Sequence, residues 1–74
     1  MLVSYKKLWK LLIDKDLRQK DLARLAGVST STITKMKNNE NVTTGVLMKI
    51  CQALHCRVED IMEFVENNES ERGL

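Results

Sequence analysis

The feature that most constrains the fold of this chain is the segment of residues 19–38, QKDLARLAGVSTSTITKMKN, which is divided by a glycine. Before that glycine, small and branched apolar residues recur at helical spacing, namely Leu22, Ala23 and Ala26. Gly27 ends this helix because glycine adopts a left-handed backbone conformation at little steric cost. Ser29 then supplies a hydroxyl N-cap for a second helix. The segment therefore predicts two short helices joined by a tight turn.

The second of these helices, predicted over residues 30–38, has two unlike faces. Ile33, together with Met36 or the stem of Lys37, supplies the apolar side. The opposite side has hydroxyls, an amide and a cation but no acidic group, and it consists of Thr30, Ser31, Thr34, Lys35 and Asn38. Such a face suits an anionic surface rich in hydrogen-bonding groups, and the major groove of DNA admits a helix of this width.

The length and composition of the chain predict one small all-α domain. Seventy-four residues suffice for a single domain, and the sequence has no proline, three glycines and almost no alternating apolar pattern. Five helices are predicted, over residues 5–15, 19–26, 30–38, 44–55 and 58–66, with Ser4 and Thr43 as caps of the first and fourth. Residues 67–74, NNESERGL, lack periodicity and are predicted to form a disordered acidic tail after a domain at residues 1–66.

Apolar faces on the remaining helices define the predicted core. Helix 1 has a wide band made of Leu8, Trp9, Leu11, Leu12 and Ile13. Helix 4 repeats apolar residues at Leu47, Ile50, Cys51 and Leu54, and helix 5 repeats them at Val58, Ile61, Met62 and Val65. Arg18 is a poor cap for helix 2, and Asp21 in the first turn compensates through the helix dipole.

The charge distribution is more informative than the net charge of +2. Residues 1–57 hold 11 Lys and Arg against 4 Asp and Glu, whereas residues 58–74 hold 1 against 6. A basic body suits a polyanion, because phosphate contacts supply most non-specific affinity for DNA. No apolar run is long enough for a membrane span and no signal peptide is evident, so we expect a cytoplasmic protein.

The sequence offers little for catalysis or for binding a cofactor. It has one histidine, no convergent set of acid and base residues and no phosphate-binding glycine loop, so we expect neither an enzyme nor a cofactor. Cys51, His55 and Cys56 lie within six residues, but this spacing does not match a zinc site, and no metal is predicted. Two cysteines also do not make a disulfide framework.

The segment of residues 19–38 resembles the helix-turn-helix of the phage Cro and repressor family, the lambda-repressor-like or xenobiotic-response-element group of bacterial regulators. The resemblance covers about residues 5–64 and rests on a joint pattern, which comprises Leu17, Gln19, Leu22, Ala23, Gly27, Val28, Ser29, Ile33, Leu47, Ile50, Ala53, Leu54, Asp60 and Ile61. It implies a compact five-helix DNA-binding domain with the helix-turn-helix at helices 2 and 3. Its members are transcriptional regulators, often repressors.

The resemblance also implies roles for individual residues. Thr30, Ser31 and Lys35 match the family's principal base-reading positions, and Gln19 matches its phosphate-binding glutamine. Thr34 joins the base-reading residues because it lies on the same helical face, and Arg18, Lys20 and Asn38 are further candidates for phosphate contacts. Relatives often place Gln, Arg or Asn at base-reading positions, whereas Thr and Ser make single, less discriminating bonds. Lys35 is the best candidate for base recognition, because lysine can donate to guanine O6 and N7.

The family usually binds palindromic half-sites as a homodimer, since one small module buries only about 600–1,000 Å² on DNA. The candidates for the dimer contact are Met62, Phe64 and Val65, although the same residues could instead close the core of the monomer. An alternative function is a protein-interaction module, such as an antitoxin or a transcriptional adaptor, in which the acidic segment from Glu59 to Glu71 would bind a basic protein partner.

Overall fold

The computed structural model describes residues 1–66, which form four α-helices, one 3-10 turn and a small sheet. In chain order the elements are β1 (Leu2–Ser4), α1 (Lys6–Asp14), α2 (Gln19–Ala26), α3 (Thr30–Lys37), α4 (Thr44–Leu54), the 3-10 turn (Val58–Asp60) and β2 (Glu63–Val65). The predicted tail at residues 67–74 lies outside the described residues. In the described part, no helix combines the length and apolar character needed to cross a membrane.

The turn between α2 and α3 forms as the sequence predicts. Gly27 has φ 71° and ends α2 in the left-handed conformation. Ser29 caps α3, because its Oγ accepts a hydrogen bond of 3.2 Å from the backbone N–H of Thr32. The start of α4 is also confirmed, since Thr43 Oγ1 accepts from the N–H of Val46 at 3.3 Å. Local sequence signals therefore determine these three helix ends.

The predicted cap of helix 1 is wrong. Ser4 lies in β1, where it pairs with Glu63, and α1 begins two residues later with Tyr5 at the cap position. The Ser4 hydroxyl still accepts a hydrogen bond from the backbone N–H of Lys6 at 3.3 Å. The sheet pairing thus takes Ser4 out of the helix, while its hydroxyl satisfies one free N–H of the first turn.

The predicted fifth helix over residues 58–66 is also wrong. Its beginning is a 3-10 turn, and Glu63–Val65 is a strand that pairs antiparallel with β1, with Val3 opposite Phe64. Val and Phe favour strands, and the backbone groups of both ends of the domain satisfy each other in this sheet. The domain is therefore mostly helical rather than all-α.

The core lies where α1, α2, α3 and α4 meet. Its buried residues are Val3, Tyr5, Leu8, Leu12, Leu22, Ala23, Ala26, Ile33, Met36, Ile50, Leu54 and Ile61. Trp9, Leu11, Leu47 and Cys51 pack against this cluster and are partly buried. Ile13 departs from the prediction, because its side chain is 76% exposed on α1.

The side chain of Tyr5 connects the start of α1 to the loop after α3. It is 1% exposed, and its hydroxyl donates a 3.0 Å hydrogen bond to the carbonyl of Glu40. Its backbone N–H donates to Asn39 Oδ1 at 3.4 Å. Asn39 itself has a left-handed backbone with φ 58°, which asparagine tolerates better than most residues. Tyr5 therefore fixes the position of the loop that follows α3.

We expect Tyr5→Phe to lower the free energy of unfolding by about 1 kcal/mol, because it leaves the Glu40 carbonyl without this donor. Urea unfolding of the two proteins measures the difference. An unchanged urea midpoint would show that the Tyr5 hydroxyl does not stabilise the fold.

Candidate nucleic-acid interface

The outer face of α3 consists of residues that the sequence assigned to it. Thr30, Ser31, Thr34, Lys35 and Asn38 are all exposed, whereas Ile33 and Met36 are buried behind them. Lys37 is exposed as well, so Met36 rather than the stem of Lys37 completes the apolar side. The helix is therefore held by its apolar back and presents its polar face to the surroundings.

Hydrogen bonds within α3 limit what two of these hydroxyls can do. Thr34 Oγ1 donates to the carbonyl of Thr30 at 3.1 Å. The hydroxyl of Ser31 lies 3.0 Å from that of Ser29, so one of the two donates to the other. Thr34 thus retains accepting capacity, while its one proton is used inside the helix. The freely rotating ammonium of Lys35 is the stronger donor on this face.

A shallow depression joins α3 to the start of α2. Gln19 and Lys20 from α2 and Thr30, Thr34 and Lys37 from α3 line its polar part. The structure therefore brings two predicted phosphate-binding residues beside two predicted base-reading ones. Lys37 is an additional cation that sequence reasoning missed, because its helical position also fitted the apolar side.

A second depression joins α3 to the start of α4, and it contains Lys35. Thr32, Asn41 and Thr43 contribute its other polar groups. Sequence reasoning did not assign these three residues to the site. Thr32 lies one turn before Lys35 on α3 itself, whereas Asn41 and Thr43, in the segment between α3 and α4, come close to Lys35 only in the folded chain. Polar residues therefore flank the exposed face of α3 on both sides.

The side chain of Asp21 caps the start of α2. The Asp21 carboxylate accepts from the backbone N–H of Arg18 at 3.0 Å and from Arg24 Nη2 at 2.7 Å. The hydrogen bond from Arg18, followed by the contact with Arg24, lowers the pKa of Asp21, and its slight burial only partly opposes this effect. Arg24 is thereby occupied, whereas the exposed side chain of Arg18 stays available beside Gln19.

The pKa of Asp21 is lower in the folded chain than in the unfolded chain, so the charged carboxylate stabilises the fold. This stabilisation is complete above the usual pKa of aspartate and is lost as the pH falls through the pKa of the folded chain. We expect Asp21→Asn to lower the melting temperature at neutral pH. Below about pH 4, the stability of the variant should fall less with decreasing pH than that of the parent protein. Thermal melts from pH 2 to 7 measure both effects. Parallel curves for the two proteins would contradict this role.

Asn38 lies at the end of α3, and its side chain is exposed. Its backbone N–H donates to the carbonyls of Thr34 and Lys35, at 3.2 and 3.1 Å. The backbone of Asn38 therefore completes the helix and leaves the amide side chain on the outer face.

Two residues of the acidic segment, Glu59 and Glu63, lie against α1. Lys7 Nζ donates to the carbonyl of Glu59 at 3.2 Å and lies 3.9 Å from Glu63 Oε2. Lys7 thus has an acidic partner in Glu63. Among residues 1–66, no ion pair involves Lys20, Lys35 or Lys37. The cations around α3 are consequently not held in ion pairs by these residues, although the charge of Lys20 contributes to the lowered pKa of Asp21.

The three residues predicted to form a dimer contact have different environments. Met62 is half-buried and packs against the core. Phe64 is 67% exposed on β2, and Val65 is exposed opposite the exposed Leu2. Phe64 and Val65 therefore do not close the core, and Met62 contributes to it.

The described residues include no cluster of three or more groups able to hold a metal ion. Cys51 and Cys56 are free thiols.

The helix-turn-helix and the polar face of α3 define a small DNA-binding domain of the helix-turn-helix class. A family model described as the Cro/C1-type HTH DNA-binding domain matches residues 7–67. The chain belongs to this family, which confirms the resemblance seen in the sequence, and it is a DNA-binding regulator. Members of the family are generally not enzymes.

One similar solved structure is described as the crystal structure of transcriptional regulator VanUg, Form II. It is 48% identical to this chain, with a TM-score of 0.85, and the match covers 89% of this chain and 88% of that one. A comparison with curated proteins finds no match.

Proposed function

We propose that this protein is a sequence-specific transcriptional regulator that inserts α3 into the major groove of double-stranded DNA. The observation that supports it best is the exposed, acid-free outer face of α3, which continues into Gln19 and Lys20. A helix with this face fits the major groove in width and in hydrogen-bonding character. Occupation of a promoter site by such a domain would block transcription, so we infer a repressor that acts in the bacterial cytoplasm.

The residues divide into two groups in this proposal. Thr30, Ser31, Thr34 and Lys35 contact base edges, with Lys35 as the main source of discrimination. Arg18, Gln19, Lys20 and Asn38 contact phosphates and fix the register of the protein on the duplex. Lys37 joins the second group, because it lines the same depression as Gln19 and Lys20.

The experiment that tests this function is binding to a random-sequence duplex over a range of salt concentrations, followed by selection from a random duplex library. We expect affinity to fall steeply with salt and the selection to yield one palindromic motif. Absence of binding at low salt would contradict the proposal and favour the protein-interaction alternative.

We further propose that the regulator binds DNA as a homodimer. The apolar patch of the small sheet covers both of its faces and its free edges, because the exposed Leu2 and Val65 lie on one face and the exposed Phe64 lies on the other. A second copy would cover this patch, and pairing of two edges would align two domains with a twofold axis, as palindromic half-sites require.

We expect Phe64→Ser to shift the protein toward the monomer in sedimentation experiments and to weaken binding to the selected palindrome at least tenfold, because one module buries too little surface for tight binding. Ile13→Ser is the matched control, since Ile13 is 76% exposed on α1, outside the patch. If Phe64→Ser and Ile13→Ser both dimerise to the same extent as the parent protein, a dimer contact at Phe64 is refuted.

A further inference from the structure

The end of α4 places two cysteines next to each other. His55 follows the helix with a left-handed backbone, φ 53° and ψ 50°. The chain then turns back, so that the backbone N–H of Cys56 donates a 3.1 Å hydrogen bond to the carbonyl of Cys51. In helix ends of this kind, the side chains at these two positions commonly contact each other.

The two thiols influence each other directly. Burial, followed by the neighbouring Cys51 thiol, raises the pKa of Cys56 to about 11. Burial also raises the pKa of Cys51, and its interaction with the Cys56 thiol opposes part of this effect. Both side chains are only half-buried, and both line an open depression with Gln52, His55, Arg57 and Asp60. A small molecule can therefore reach the pair from outside.

The backbone geometry is compatible with a covalent bond between the two residues. A direct backbone hydrogen bond of 3.1 Å limits the distance between the two Cα atoms to about 7 Å, since only the Cα–C=O and N–Cα bonds extend it. Disulfides span Cα distances of about 4.4–6.8 Å. Because the segment between the cysteines is already a closed turn, no long loop has to be ordered when the bond forms.

We propose that Cys51 and Cys56 form an intramolecular disulfide in exchange with a low-molecular-weight disulfide such as oxidised glutathione. One thiol, as its thiolate, attacks a glutathione sulfur and releases one reduced glutathione, which leaves a mixed disulfide on the protein. The second thiol attacks the protein sulfur of this mixed disulfide and releases the other glutathione. The two cysteines lose two electrons and two protons, and one oxidised glutathione becomes two reduced ones.

This bond would join Cys51 in the last turn of α4 to Cys56, which lies two residues before the 3-10 turn. The two half-buried cysteines thus form a modification site that lies apart from the outer face of α3. The site needs no DNA and no dimer, so it can be tested separately from the proposed function.

The test is equilibration of the full chain with glutathione buffers of graded composition, followed by acid quenching and mass measurement of the intact protein. Since protonated thiols react slowly, the reaction is followed until the product ratio is constant. We expect a product that has lost the mass of two hydrogens and that migrates as a monomer without reductant. We expect its ratio to the mixed disulfide to be at least about tenfold higher for the folded chain than for the same chain in urea.

Cys51→Ser and Cys56→Ser are the control variants, and each should yield only a single glutathione adduct. Folding of the variants is verified by circular dichroism. A doubly glutathionylated chain, a covalent dimer, unreacted thiols at equilibrium, or equal ratios with and without urea would each overturn the proposal.

Discussion

Replacing Lys35 with alanine should lower affinity for the selected DNA site by about 1–3 kcal/mol and relax the preference at one base pair. The reason is that Lys35 is the only cation among the four proposed base-reading residues. Its neighbours Thr34 and Ser31 already use hydroxyl groups in contacts within the protein. Binding-site selection with the variant, together with affinities for single-base variants of the site, measures both effects.

Lys20→Ala is the matched control, because it removes the same charge from the rim of the depression rather than from the central face. It should weaken binding to all sequences alike and reduce the slope of log K against log salt by about 1. A uniform loss with Lys35→Ala, indistinguishable from that with Lys20→Ala, would refute base recognition by Lys35.

Leu22→Ala should be the most destabilising of the single substitutions considered, at about 2–5 kcal/mol. Leu22 is 0% exposed on α2, which packs against both α3 and α4, and the variant leaves a cavity there. A small domain has a total stability of only about 5–15 kcal/mol, so DNA binding at 37 °C should also decrease as the unfolded fraction grows.

Leu25→Ala provides the comparison on the same helix. Leu25 is 57% exposed, and its truncation should change stability by no more than about 0.5 kcal/mol. Urea unfolding of both variants gives the difference directly. Similar losses for Leu22 and Leu25 would contradict the packing of α2 described above.

The sequence predicts the helix-turn-helix well because its determinants are local. Gly27, Ser29 and Thr43 each act on residues within one helical turn, and the structure shows the conformation or hydrogen bond expected at each. The apolar stripe of α2 is likewise buried, since three small and branched residues allow close packing.

The C-terminal part of the domain was not predictable in the same way. Ile61 is buried at a position that fits a helical repeat, yet the chain becomes a strand two residues later because β1 pairs with it. That pairing joins Val3 to Phe64, and two strands of three residues are too short to show an alternating pattern. Tertiary contact therefore overrides the local helical signal.

In the proposed site, too, some features follow from the local sequence and others from tertiary contacts. The outer face of α3 follows from helical spacing alone, whereas Asn41 and Thr43, in the segment between α3 and α4, approach Lys35 only in the folded chain. The role of Asp21 exceeds the predicted effect on the helix dipole, because its carboxylate bonds directly to Arg18 and Arg24.

The most direct test of the central claim is an NMR titration of the isotope-labelled chain with its selected duplex. We predict that the largest shifts lie on the outer face of α3, at Thr30, Thr34 and Lys35, and extend to Gln19 and Lys20. Residues near Lys7 and Glu63, which lie in the acidic contact with α1, should change little. Largest shifts around Lys7 and Glu63, with α3 unaffected, would contradict the assignment of α3 as the DNA-reading helix.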